Sequence, residues 1–212
     1  GYWLGAGFKV RGQLGVALRV PTFTDLYYSD PATLGNPNLL PEEATNFEGG
    51  FDWSGRHGTT VSGTVFRRLE DNTIDYVRDP GAARFEARHY QDLDFTGAEL
   101  EVRHRFAPVA EVWANYTRLS ASQTLVDNAV SRYVFNFPTH QATLGYRGTL
   151  AGALLVKTQL GVYERSWQSA KGLWDISIGW SRGKFRPFVQ ASNLTNTQHE
   201  AFQGLAQPGR WF

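Results

Sequence analysis

The sequence predicts an all-β protein: a section, about ten strands wide, of an antiparallel up-and-down transmembrane β-barrel. Three observations predict it. Apolar and polar residues alternate with period 2 in many separate segments, most of those segments are long enough to cross a bilayer, and the connections alternate between short and long.

The alternation is plainest in Glu99-Leu100-Glu101-Val102-Arg103-His104-Arg105-Phe106. Successive strand residues point to opposite sides, so Leu100, Val102, His104 and Phe106 share one face and the two Glu and two Arg share the other. Trp174, Ile176, Ile178 and Trp180 oppose Asp175, Ser177, Gly179 and Ser181 in the same way, and Leu154, Val156, Leu160 and Val162 oppose Lys157, Gln159 and Gly161. Helical spacing fits none of these segments for more than a turn. The pattern places strands at roughly 2–10, 13–20, 44–53, 59–77, 94–106, 110–122, 138–149, 152–165, 171–182 and 184–194. Most reach the ~9–11 residues that a tilted membrane strand needs, where strands of soluble proteins average ~5–6.

Arg11-Gly12, Ser54 to Gly58, Ala107 to Val109, Ala151 and Gly183 read as tight turns. Between them lie mostly longer segments, 21–43, 78–93, 123–137, 166–170 and 195–210. In a meander every second connection falls on the same rim, so one rim carries short turns and the other long loops. Outer-membrane barrels have this asymmetry, short on the periplasmic side and long on the extracellular side. Trp53, Tyr116, Tyr146, Trp174, Trp180 and Phe185 fall near strand ends on the apolar face, where interfacial aromatic girdles belong.

Composition agrees. A chain of 212 residues, 42% hydrophobic and 19% charged, has no apolar run of the ~18 residues a membrane helix requires, which excludes a helical membrane protein. A formal net charge of +1 gives no basis for a nucleic-acid partner. The chain contains no Met, and Gly1 to Val10 lack the pattern of a signal peptide, which predicts that the sequence begins inside a longer protein.

Three stretches carry a family resemblance. The first is Arg19-Val-Pro-Thr-Phe-Thr-Asp-Leu-Tyr27-Tyr28, then Gly35-Asn-Pro-Asn-Leu-Leu-Pro-Glu42, then Asn46-Phe-Glu48. The second is Tyr90-Gln91 with Thr96-Gly97-Ala98-Glu99-Leu100. The third is Asn193-Leu194-Thr195-Asn196 with Gln207-Pro208-Gly209-Arg210. Together, in this order and on the strand rhythm, they resemble TonB-dependent outer-membrane receptors over nearly the whole chain. The resemblance implies the C-terminal part of a 22-stranded barrel over residues 1–212, in the bacterial outer membrane, with the plug domain and the last strand outside this sequence. It implies active import of an extracellular ferric siderophore, haem or cobalamin with energy supplied by TonB through a segment of the absent plug. The implied partners are thus TonB, a metal-chelate or cobalamin ligand and outer-membrane lipid. The alternatives are a passive porin or adhesin barrel and, further off, a barrel enzyme.

Chemistry-bearing groups are sparse. Without Cys and without a His-x-x-x-His pair, no metal site or resident cofactor is expected. Glu86-Ala-Arg-His89 has the Glu-x-x-His spacing, but that spacing converges two ligands only on a helix. Asp75, His89, Asp92 and Ser120 are the residues a barrel enzyme would recruit; no catalytic site is expected. The inward face, with Arg19, Arg68, Glu99, Glu101, Arg103, Arg105, Glu111, Lys157, Asp175 and Arg186, reads as a solvated or plug-facing wall. Ligand contact is expected from loop aromatics and cations, which offer large contact area and charge-assisted hydrogen bonds: Tyr27, Tyr28, Arg84, Arg88, His89, Tyr133, Arg165 and Trp167.

Overall fold

A computed structural model describes residues 1–90, 93–107, 110–122, 129–132, 137–202 and 205–212. The strands are β1 (Tyr2–Gly5), β2 (Phe8–Arg19), β3 (Thr33–Leu34), β4 (Glu42–Ser54), β5 (Thr59–Asp71), β6 (Thr73–Arg78), β7 (Phe85–Tyr90), β8 (Leu93–Ala107), β9 (Ala110–Ser122), β10 (Val130–Ser131), β11 (Pro138–Leu150), β12 (Leu154–Arg165), β13 (Gln168–Trp180), β14 (Phe188–Ala191), β15 (Glu200–Phe202) and β16 (Leu205–Ala206), with one short helix, α1 (Phe23–Tyr27). Ten of them form a single antiparallel sheet in the order β1-β2-β4-β5-β8-β9-β11-β12-β13-β14. A second, four-stranded sheet, β10-β6-β7-β3, is built from segments that leave the long-loop rim.

The register lines up one face across the whole large sheet. Leu14 pairs with Phe47 and Val16 with Thr45. Val61 pairs with Val102, Leu100 with Tyr116, Leu144 with Leu160 and Leu160 with Trp174. This face is apolar yet uncovered: Leu14 is 68% exposed, Val16 79% and Leu144 58%. A soluble sheet would bury such a face, since each large aliphatic side chain gains about 1.5–3 kcal/mol on leaving water. The side chains that are buried on the large sheet include polar ones. Glu111 is 3% exposed, on the opposite face. The sheet is thus inside out relative to a water-soluble protein, as a barrel wall in lipid requires.

Charges on the apolar face are confined to strand ends. Glu43, Arg67, Asp71, Asp94, Arg118 and Glu164 share its register and all lie toward the long-loop rim. The opposite face carries ion pairs along its length. Arg11 on β2 binds Glu48 and Thr64 and lies 3.5 Å from Asp52. Glu111 on β9 receives Arg103 at 3.1 Å, Arg147 at 3.0 Å and Arg105 at 3.5 Å. These arginines keep much of their exposure, so each pair is screened and contributes modestly. Glu111→Gln is accordingly expected to lower stability by about 1 kcal/mol, read as a shift in the urea midpoint of the full-length protein in micelles with an unchanged slope.

The structure moves several boundaries. The first turn is at Ala6-Gly7, not Arg11-Gly12, and β2 runs unbroken through both of the latter. Ala6 (φ 50°) and Gly7 (φ 78°) supply the left-handed pair that a two-residue hairpin needs, while the partners of Arg11 hold it in a strand. The expected strand 59–77 breaks at Asn72, whose φ of 57° turns the chain out of the barrel wall into β6; Asn tolerates that conformation better than most residues. The segment 78–93 contains β7 rather than being all loop. Segment 166–170, expected to be long, reduces to a turn at Ser166-Trp167. The strand expected at 184–194 is only Phe188–Ala191, because Pro187 lacks the N–H that would extend the ladder. Trp211 pairs with Ser192 beyond β14 through two backbone hydrogen bonds of 3.0 and 3.2 Å.

Candidate functional site

The long-loop rim holds the candidate ligand residues, and the first motif builds their support. Thr22 caps α1: its hydroxyl accepts the Asp25 N–H at 3.2 Å, and the Asp25 carboxylate accepts the Thr22 N–H at 2.9 Å. Arg19, the last residue of β2, binds Glu42, the first of β4, through two guanidinium nitrogens and reaches Asp25 at 3.4 Å. Glu42 also accepts the Ile74 N–H at 2.6 Å, and the Tyr76 hydroxyl reaches the Thr24 carbonyl at 3.3 Å. One arginine thereby fastens the barrel wall, the helix and the small sheet together.

Gly35 closes the same loop. Its N–H donates to the Tyr28 carbonyl at 2.6 Å, and the Asn36 N–H donates to the Asp25 carbonyl at 2.8 Å. A Cβ at position 35 would lie 2.9 Å from three backbone atoms of Asp25, Leu26 and Tyr27, so only glycine fits. Beneath, Leu39, Ile74, Tyr76 and Ala87 form a small buried core with Leu26 and Phe85 packed on it. The loop between β2 and β4, with prolines at 21, 31, 37 and 41, is therefore a roof with its own core.

Burial pushes the Asp25 carboxyl up, but hydrogen bonds from Thr22 and the Arg19 charge outweigh it and hold the group below the usual carboxylate value. A carboxyl depressed in the folded state stabilises above its unfolded pKa and loses that contribution as pH falls through the folded value. Protease protection of α1 is expected to stay constant from neutral pH to about 4 and to fall below that, measured by limited proteolysis with an acid-active protease.

The predicted contact residues divide by environment. Tyr27, exposed, packs on exposed Phe23 with ring centroids 5.3 Å apart, and Tyr28 donates to Asp30 at 3.0 Å. Arg84 is exposed and precedes Phe85, over whose ring Arg78 (4.7 Å) and Arg132 (5.4 Å) stack. Arg88 is engaged by Asp79 at 2.8 Å and Glu86 at 2.8 Å, bonds that raise its pKa further. His89 Nε2 accepts the Leu40 N–H at 2.8 Å, pinning the roof to β7. Arg165 lies between the rings of Tyr163 (4.9 Å) and Trp167 (5.8 Å), and Tyr163 meets His199 edge-on at 6.1 Å. Tyr133 lies outside the described residues. The structure thus brings Tyr27, Tyr28 and Arg84 to the loop surface, and gives Arg88 and His89 internal partners. Arg78, Phe85, Arg132 and Tyr163 join the set without having been singled out in the sequence. Arg78 and Phe85 were hidden because the segment read as irregular loop, while Tyr163 follows the inward register of β12.

The residues a barrel enzyme would recruit do not converge. Asp75 faces one side of the small sheet, accepting the Tyr76 N–H at 2.6 Å and the Ser131 hydroxyl. His89, paired with Ile74, faces the other. Ser120 lies on the apolar face of the large sheet, and Asp92 lies outside the described residues. Glu86 and His89 likewise point to opposite sides of β7. Among the described residues no group of three His or carboxylate side chains is placed to hold a metal.

Residues 3–194 match the profile of the TonB dependent receptor-like, beta-barrel family. The chain belongs to this family. Among relatives of the TonB-dependent receptor barrel, a stretch of 56 residues is 43% identical to the vitamin B12 transporter BtuB of Photobacterium profundum, covering 26% of this chain and 8% of that protein. The copper transporter OprC superposes with a TM-score of 0.76 over 98% of this chain and 37% of its own, at 14% identity. The siderophore receptor PirA from Pseudomonas aeruginosa superposes with a TM-score of 0.70 over 98% of this chain and 36% of its own, at 20% identity. At such identities these structures establish the fold, and the chain spans little more than a third of their length. The TonB-dependent receptor barrel is a transport and receptor family of the outer membrane, in agreement with the uncovered apolar face.

Proposed function

We propose that this chain is the C-terminal part of the barrel of an outer-membrane receptor that binds an extracellular nutrient chelate, a ferric siderophore, haem or cobalamin, and imports it with energy supplied through TonB. The observation that carries the reading is the roof. A passive pore has no use for a loop assembly with its own core and an arginine bolted to two strands and a helix. A receptor needs such a support to hold exposed aromatic and cationic side chains in fixed positions above its lumen. Tyr27, Tyr28 and Arg84 supply that surface, with half-buried Arg165 and Trp167 on the separate β12–β13 turn, and the set suits an organic chelate with charged or aromatic groups. No residue of the wall is assigned covalent chemistry. TonB engages a plug segment outside this sequence, and the ionic inner face of the wall is where such a plug is held.

The test is uptake by cells that lack other receptors and carry the full-length protein. Accumulation of an iron chelate, haem or cobalamin is expected, and it should disappear when tonB is deleted or the TonB-contacting segment is removed. Uptake that survives those deletions would leave a passive pore.

A further inference from the structure

We propose that Asn193 and Asn196 form a clamp at the base of the 195–210 loop that sets the register in which the chain after Phe212 pairs with β14. The clamp also separates the wall from the hairpin above it, so that this part of the loop can change without disturbing the wall. The inference is independent of which nutrient is carried.

β14 is an edge of the large sheet and has little ladder of its own to guide a neighbour. Only Phe188–Ala191 pairs with β13, whereas β12 pairs with the other side of β13 from Leu154 to Arg165. Side chains alternate along a strand, so a one-residue slip of the next strand would turn its lipid-facing residues into the lumen. A contact outside the ladder has to set that register.

The chain leaves β14 through Ser192 and comes back to it at Trp211, and the two exchange backbone hydrogen bonds of 3.0 and 3.2 Å. Asn193, 5% exposed, holds both passages of the chain. Its N–H donates to the Asp175 carboxylate on β13 at 2.9 Å. Its side-chain Oδ1 accepts the Thr197 N–H at 2.9 Å, and its Nδ2 donates to the Thr197 carbonyl at 3.0 Å and the Pro208 carbonyl at 3.4 Å. Asn196 repeats the arrangement one turn on. Its N–H donates to the Asn193 carbonyl at 2.8 Å, and its Oδ1 accepts the N–H of Arg210, on the returning side, at 3.0 Å. The Thr197 hydroxyl fastens the outgoing side to the Gly172 carbonyl of β13 at 2.6 Å. Both asparagines take left-handed φ values, 52° and 51°, which Asn tolerates better than most residues.

Above the clamp, β15 and β16 form a two-stranded sheet of their own, outside the ladder of the wall. Below it, the register follows from the Ser192–Trp211 pair. Phe212 falls opposite Ala191, and the next residues fall opposite Gln190, Val189 and Phe188. Ala191 and Val189 pair with Ile176 and Ile178 of the lipid-side face, so Phe212 and the second residue after it face lipid.

The test uses double-cysteine variants of the full-length protein in vesicles, with heat-modifiable gel migration as the folding control. Because Ser192 and Trp211 exchange both hydrogen bonds, positions 191 and 212 form a non-hydrogen-bonded pair about 4.5 Å apart, within reach of a disulfide. Ala191→Cys with Phe212→Cys is expected to cross-link on mild oxidation. Ala191→Cys with Trp211→Cys, which reports a one-residue slip, is expected to cross-link about tenfold less or weaker still. Asn193→Gly keeps the left-handed turn and removes the amide, and should lower the ratio of the two cross-links about tenfold, the factor that one or two lost hydrogen bonds supply. If that variant does not fold, Asn196→Gly, which loses only the Arg210 contact of its side chain, carries the comparison with a fall of about threefold. Replacing residues 200–206 by a Gly-Ser linker of equal length should leave the ratio unchanged. A ratio that stays the same in the asparagine variants overturns the clamp. A ratio that falls with the linker assigns the register to the hairpin and overturns it equally.

Discussion

Leu144→Arg is expected to destabilise the full-length protein by about 2–4 kcal/mol in lipid vesicles, while Thr143→Arg, one residue earlier, changes it by less than about 1 kcal/mol. Leu144 is central in β11, 58% exposed, and flanked by Ala114 and Leu160 on the uncovered apolar face. An arginine there must place its charge near the bilayer midplane, too far from either headgroup layer to reach water. Thr143 is paired with Asn115 and Gly161 on the ionic face, where a cation meets water or a polar partner. The measurement is the urea midpoint in vesicles, with heat-modifiable gel migration as the folding control. In a water-soluble sheet the order would be reversed or flat, since an exposed leucine gains nothing from staying apolar.

The second large effect is at the roof. Gly35→Val is expected to cost the loop about 1–3 kcal/mol, because the new Cβ meets backbone atoms that cannot rotate away. The barrel wall does not share that contact, so its unfolding midpoint should stay where it is while α1 and the 21–41 segment open more often. Limited proteolysis of the full-length protein checks the first part. On the receptor reading, nutrient affinity falls with it, by about tenfold for each 1.4 kcal/mol by which the bound loop conformation is disfavoured. Unchanged protease protection would mean that Gly35 does not hold the roof.

The wall was legible because lipid imposes a rule. Most lipid-facing positions, every second residue of a spanning segment, are apolar, and that pattern survives without tertiary information in Leu100-Val102-His104-Phe106, broken only by His104, and in Trp174-Ile176-Ile178-Trp180. Trp53, Tyr116, Tyr146, Trp174 and Trp180 share the apolar face as expected, but Tyr116 and Trp174 fall at the middle of β9 and β13 rather than near their ends, and Phe185 lies in the connection between β13 and β14. The exact hairpin positions were less visible. Arg11-Gly12 has turn composition, but the partners of Arg11 are Glu48, Asp52 and Thr64, far off in sequence. The roof was legible as a motif and opaque as a structure. Its proline and glycine content announces a stiff loop, yet the bolt formed by Arg19, Glu42 and Asp25 and the turn at Asn72 depend on contacts across the rim. The same limit explains the contact residues. His89 and Arg88 have the composition of a ligand site, but β6 and the roof loop supply them with internal partners, whereas exposed Arg78 came to notice only once β7 set Phe85 beside it.

The most direct test of the membrane-wall assignment uses single cysteines, since this chain has none of its own. Cysteines placed one at a time at positions 141 to 146 of the full-length protein in vesicles are labelled with an environment-sensitive fluorophore and exposed to a quencher confined to the lipid phase. Strong quenching is predicted at 142, 144 and 146 and weak quenching at 141, 143 and 145, repeating the pairing of β11 with β9 and β12. Uniform weak quenching, or the opposite phase, would contradict the placement of this sheet as a wall in the membrane.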